Sequence, residues 1–214
     1  TRGYELTTIT EIWDVLRAFA SFGFCKAHAA AFALLTYQSA YLKTHYPAAF
    51  IAGILTHDPG MYPKRLMIDE ARQLGVGLAP LDINYSGEQY TVERDEKGGD
   101  HVRIALTSVS GISDKEVTSI IAGRPYIDLS DFYRRSGASH PVIETLILTG
   151  AFDRVHSLSD GAINHRDLLL HLSDLTRSPV ATVAGSQMVF GFAPPDLAAS
   201  GLPPMGASEK VRNE

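Results

Sequence analysis

Lys26 and His28 stand directly behind the glycine turn Phe22-Gly23-Phe24 and open an alanine-rich run, Ala29-Ala30-Ala31-Phe32-Ala33. The first amides of a helix lack internal partners, and the macrodipole makes that end electropositive. A cation and an imidazole beside such amides suit a polyphosphate. From spacing alone a plainer account weighs more, with Lys26 solvated and His28 capping or packing. A second chemical pattern runs from Leu106 to Ile121. An apolar residue, a short turn centred on Gly111 and Ile112, and a new helix compose a helix-hairpin-helix element. Ser110, Gly111, Ile112 and Ser113 then present consecutive amides at a helix start, which hold a DNA phosphate whatever the base. Gly111 permits close approach of the backbone, and Lys115 adds a charge in the first turn. Further on, Ser136-Gly137-Ala138-Ser139-His140-Pro141 precedes another helix. It forms a second, degenerate hairpin in which Gly137 and Ser139 take the same role. An ordinary helical hairpin with a turn glycine is the alternative for both.

Helices must position both patterns. Thr10 or Thr8 can cap a helix from Glu11 to Ala20, with Ile12, Val15, Leu16 and Phe19 on one face. Further helices are predicted over Ala27–His45, Pro47–Ile54 and Pro63–Gln73, the last closed by Gly75. Val76–Ile83 is extended, and Tyr90–Val92 and Val102–Leu106 are β-rich around an exposed loop, Glu96–Asp100. Short helices return at 114–122, 129–135, 140–148 and 162–176. After Arg177 the chain is rich in Pro, Gly, Ser and Ala and predicts a linker, in which Met188–Phe192 offers a docking segment. The expected fold class is mainly α with a small β insertion. Its parts are a helical portion (1–75), a β-rich insertion (76–106), a tandem helix-hairpin-helix (107–177) and a linker (178–214) towards a further domain. The end at Glu214, inside a charged segment, suggests a piece of a longer protein.

Composition bounds these possibilities. A chain of 214 residues, 45% hydrophobic and 20% charged, fits a soluble globular protein with a sizeable core. Cys25 is the single cysteine, so neither a disulfide framework nor a cysteine zinc cluster forms within one chain. The eight histidines fall into no ligand pattern. No signal peptide is evident and the longest apolar run is too short for a bilayer, so a cytoplasmic protein without a membrane partner is expected. The net charge of −5 is unevenly placed. Residues 1–50 carry four Lys/Arg against three Asp/Glu, and 101–140 five against four. The acidity lies elsewhere, which permits phosphate binding at the two patterns. Two-metal nucleotidyl transfer needs paired carboxylates, and the sequence holds no Asp-x-Asp. Asp128 and Asp131 stand at the start of a predicted helix, where acidic capping accounts for them.

The run from Phe22 to Ala33, continuing through Tyr37-Gln38-Ser39-Ala40-Tyr41-Leu42-Lys43, resembles the fingers segment of bacterial C-family DNA polymerases. These are the DnaE-type polymerase III alpha subunits, and the likeness is nearest to their error-prone actinobacterial branch. Leu42–Phe50, Gly53–Arg65, Arg124-Pro125-Tyr126, Leu129, Asp131-Phe132 and Leu148–Asp153 agree as well. The resemblance covers roughly residues 10–175. It implies a parent DNA-directed DNA polymerase, a nucleotidyltransferase of DNA replication, repair and translesion synthesis. Its partners would be primer–template DNA and dNTP, together with accessory translesion proteins and the sliding clamp. Gly23, Lys26 and His28 would hold the incoming triphosphate, and the hairpins would grip the duplex. Catalytic carboxylates and their Mg²⁺ would belong to a palm outside this chain. No residue here would be catalytic, and the fragment would bind no cofactor. Relatives usually carry Lys where this chain has Ser110, and the high-fidelity branch commonly has Asn and Ser where this chain has Cys25 and Ala27. A free-standing hairpin DNA-binding module and a purely structural helical domain are the competing readings.

Overall fold

The computed structural model describes residues 3–20, 25–177 and 196–206. Helices α1 (Leu6–Ala20) and α2 (Lys26–His45) hold their side chains in solvent, apart from half-buried Lys43. Helix α3 (Pro47–His57) opens on a proline, which costs nothing where the amide has no helical acceptor. Its buried residues Ala48, Ile51, Ala52 and Leu55 recur at three and four, one stripe facing a small core. Ala71 of α4 (Lys64–Gln73), Val76 and Val102 complete that core. Lys43 reaches Glu70 at 2.5 Å and ties α2 to α4.

Three short strands follow: β1 (Gly77–Ala79), β2 (Thr91–Arg94) and β3 (Asp100–Arg103). Their order is β1-β3-β2, with β3 parallel to β1 and antiparallel to β2. In the β2–β3 loop, Asp95 Oδ1 accepts the amides of Lys97 (2.9 Å) and Gly99 (2.7 Å), a side-chain-closed turn.

The larger core gathers residues from Leu81 to Leu175. It is built by a 3-10 turn (Leu106–Ser108), α5 (Asp114–Ala122), α6 (Leu129–Arg135), α7 (His140–Leu148) and α8 (His165–Arg177). Phe132 stands edge-on to Phe152 at 5.1 Å and to Tyr126 at 4.8 Å. Full burial of such a side chain contributes about 1.5–3 kcal/mol, and each ring pair about 0.5–1.5 more. Polar groups pin the chain around it. Asn84 donates to the Tyr126 carbonyl at 2.9 Å and accepts the Tyr126 amide at 2.8 Å. Arg135 pairs with both Asp131 oxygens (2.6 and 2.5 Å) and donates to the carbonyls of Gly123 and Pro125, each at 2.7 Å.

The mainly-α architecture with a small sheet is as the sequence predicts, and α5, α6 and α7 keep their predicted bounds. Several boundaries move. Helix α1 starts at Leu6, so Thr8 and Thr10 lie inside it, and the Thr10 hydroxyl donates back to the Leu6 carbonyl at 2.8 Å. A threonine satisfies itself that way as readily as it caps. Helix α3 continues to His57 and stops at Asp58, which takes a left-handed conformation (φ 36°). Pro63 precedes α4, and α8 begins at His165. Of the extended stretch 76–83 only three residues form a strand, and its parallel pairing was not foreseen. Leu106 belongs to the 3-10 turn, not to a strand. Within the expected linker, residues 196–206 dock on α8. Ser200 donates its amide to Asp167 at 2.8 Å and its hydroxyl to the same oxygen, and Asn164 donates to the Leu202 carbonyl at 3.0 Å. Met188–Phe192 lies outside the described residues.

Buried His171 and half-buried His156 give the fold a pH limit. His156 Nε2 accepts the Leu129 amide at 3.0 Å, and His171 Nε2 lies 2.8 Å from the Ser130 hydroxyl. Burial lowers the pKa of both. The unfolded chain therefore takes up protons near the ordinary histidine value, about 6.5, before the folded one does. Their contribution is intact above that pH and is lost as pH falls below it. Thermal melting is expected to show a falling midpoint between pH 7 and pH 5, flattened in a His156→Gln/His171→Gln double variant.

Candidate nucleic-acid interface

The first hairpin is set by residues that lie inward. Leu106 and Val109 are buried, half-buried Ile112 packs against the same core, and the Ile112 amide reaches the Val109 carbonyl at 3.3 Å. Gly111 takes φ 80°, which other residues rarely adopt, and a side chain there would project into open space. Helix α5 then starts with a reciprocal cap. The Glu116 amide donates to Ser113 Oγ at 3.4 Å, while Glu116 Oε2 accepts the Ser113 amide (2.9 Å) and hydroxyl (2.7 Å).

The second hairpin leaves α6 at Ser136, turns at Gly137 (φ 67°) and enters α7 behind Ser139. A Cβ on Gly137 would lie 3.4 Å from the Ser119 hydroxyl, so this turn rests against α5. The Ser139 amide donates to Glu116 Oε1 at 2.8 Å. The starts of α5 and α7 therefore converge on one carboxylate. Hydrogen bonds from Ser139, then from Ser113, hold the Glu116 pKa at about 2, so it is an anion throughout the physiological range.

Ser110, Gly111, Ser113, Lys115, Gly137 and Ser139 are all exposed, as their proposed role requires. The amides of Gly111, Asp114, Lys115, Gly137 and His140 form no hydrogen bond among the described residues. The Ile112, Ser113 and Ser139 amides differ from expectation: the Val109 carbonyl takes the first and Glu116 the other two. Sequence reasoning passed over Glu116, although Ser113-x-x-Glu116 is a legible capping signature. It also passed over Tyr85, whose ring lies 4.2 Å from the Arg154 guanidinium and 6.0 Å from that of Arg103.

Lys26 is the exposed first residue of α2, behind Cys25, whose side chain makes no cap. The exposed His28 ring stacks on Phe32 at 4.5 Å, tilted by 56°, so it packs along its own helix. Gly23 lies outside the described residues. Asp128 caps α6 by accepting the Asp131 amide at 2.6 Å, and Asp131 is committed to Arg135. Among the described residues no group of three His, Cys, Asp or Glu is placed to hold a metal ion. No described helix is long and apolar enough to cross a membrane.

A family model of the helix-hairpin-helix motif matches residues 75–160. The chain is 38% identical over 179 residues to the error-prone DNA polymerase of Symbiobacterium thermophilum, covering 72% of this chain and 16% of that protein. The error-prone DNA polymerase of Bdellovibrio bacteriovorus is 40% identical over 171 residues, again with 16% of its length covered and 78% of this chain. The DNA polymerase III alpha subunit of Chlamydia trachomatis is 37% identical over 159 residues, covering 71% of this chain and 12% of its own. The chain thus spans about a sixth of the first two relatives. These similarities place the chain in the family of error-prone DNA polymerases and DNA polymerase III alpha subunits, with a helix-hairpin-helix region over residues 75–160.

Proposed function

We propose that this chain is the part of an error-prone DNA-directed DNA polymerase that grips the duplex backbone and helps hold the incoming dNTP. The observation that carries the reading is the pair of adjacent hairpin turns at exposed Gly111, Asp114, Lys115 and Gly137 and half-buried His140, whose amides have no partner among the described residues. Phosphate oxygens accept such N–H groups, and the Lys115 ammonium adds a charge-assisted contact. Backbone amides and an ammonium recognise phosphate and carry no base-specific pattern, so the grip is independent of sequence. Ser110, standing where relatives usually carry a lysine, makes it weaker than theirs. The α2 start, with Lys26 in its first turn, supports triphosphate binding by the same physics. Strand extension joins the primer 3′-oxygen to the α-phosphorus and expels pyrophosphate, which calls for paired carboxylates and Mg²⁺. Asp128 and Asp131 are committed to a cap and an ion pair. That chemistry belongs to a palm outside this chain, and the parent enzyme acts in cytoplasmic DNA repair and translesion synthesis.

Labelled duplexes of unrelated sequence, titrated with the chain at several salt concentrations, test the grip. Affinity on the order of micromolar or weaker is expected at physiological salt, equal among sequences and falling linearly in log–log form as salt rises. A strong sequence preference, or affinity indifferent to salt, would contradict it.

A further inference from the structure

We infer that Glu116 is a positioning residue whose one carboxylate fixes the two hairpin turns at the spacing needed to grip a single duplex together. The inference rests on the duplex-gripping reading above. A capping glutamate ordinarily serves its own helix, through the amide three residues back. Glu116 does this with Oε2 and uses Oε1 for a residue 23 positions away, Ser139, which stands before α7 in the other hairpin. Both oxygens accept at 2.7–2.9 Å. The carboxylate is thereby an internal counterpart of a phosphate, holding one amide from each turn, while the neighbouring amides have no partner among the described residues. Two weak grips held at a fixed spacing act as one bivalent ligand, and their combined affinity is lost when the spacing wanders.

The sign of the effect separates this role from simple electrostatics. Glu116 places a negative charge at a surface meant for a polyanion, so deleting that charge alone should tighten binding. Glu116→Gln keeps the shape but has one acceptor oxygen. Its NH₂ group would face a donor N–H, so it cannot serve both turns. Ser139→Pro is the complementary variant: Ser139 lies at φ −71°, ψ 152°, which proline adopts, and the change removes the bridging donor while keeping Glu116 charged.

Duplex binding by the whole chain should weaken roughly tenfold in both variants. The salt slope should become shallower by about one. In Glu116→Gln the Ser139 amide should exchange faster with solvent, and circular dichroism should show both variants folded. Equal or tighter binding by either folded variant overturns the inference alone. Absence of duplex binding by the unsubstituted chain overturns the underlying reading, and this inference with it.

Discussion

Lys26→Ala in the full-length polymerase is expected to lower the catalytic efficiency of nucleotide incorporation about ten- to a hundredfold. Lys26 is exposed at the start of α2 and forms no ion pair among the described residues, so truncation leaves the fold intact. On the triphosphate-holding role proposed above, it removes a charge-assisted contact worth roughly 1.5–3 kcal/mol. At 1.36 kcal/mol per decade that gives the stated range. Lys26→Arg should recover part of the loss, since the charge stays while the donor geometry changes. Steady-state incorporation kinetics paired with thermal melting check the claim. Unchanged kinetics in a well-folded Lys26→Ala enzyme would return this lysine to the solvated surface.

Phe132→Ala is expected to cost about 3–5 kcal/mol of stability. Phe132 is fully buried and touches Tyr126 and Phe152 edge-on, so its loss leaves a cavity and removes two ring contacts. Marginal domains have only about 5–15 kcal/mol to lose. The hairpins are set by the same core through Val109, Ile112 and Val142. Their DNA binding should therefore fall with stability. Ile127→Ala, at a side chain 74% exposed, should change stability by less than about 0.5 kcal/mol. Urea denaturation of the two variants measures the contrast. A Phe132→Ala cost below about 1 kcal/mol would mean that the core tolerates the cavity and is not organised around this ring.

The helices around the hairpins were legible because their starts and stops carry chemistry: Ser113 before α5, Asp128 before α6, Pro141 in the first turn of α7. Periodicity located the helix α1 but not its surroundings. Its apolar face of Ile12, Val15, Leu16 and Phe19 is exposed. An amphipathic stripe states that a partner surface is wanted and not where it lies. The parallel β1–β3 pairing was illegible because Gly77–Ala79 is short and its partner lies across an intervening strand. The candidate interface divides in the same way. Gly111 and Lys115 could be chosen from one short stretch, as could the Ser113–Glu116 cap. The bond from Ser139 to Glu116 spans 23 residues and depends on how α5 and α7 pack, which no local pattern encodes.

Backbone amide chemical shifts, followed while an isotopically labelled chain is titrated with duplexes of two unrelated sequences, test the central claim most directly. The account predicts perturbations at the amides of Gly111, Asp114, Lys115, Gly137 and His140, the same for both duplexes and suppressed by high salt. Perturbations confined to other surfaces, or differing between the two sequences, would contradict it.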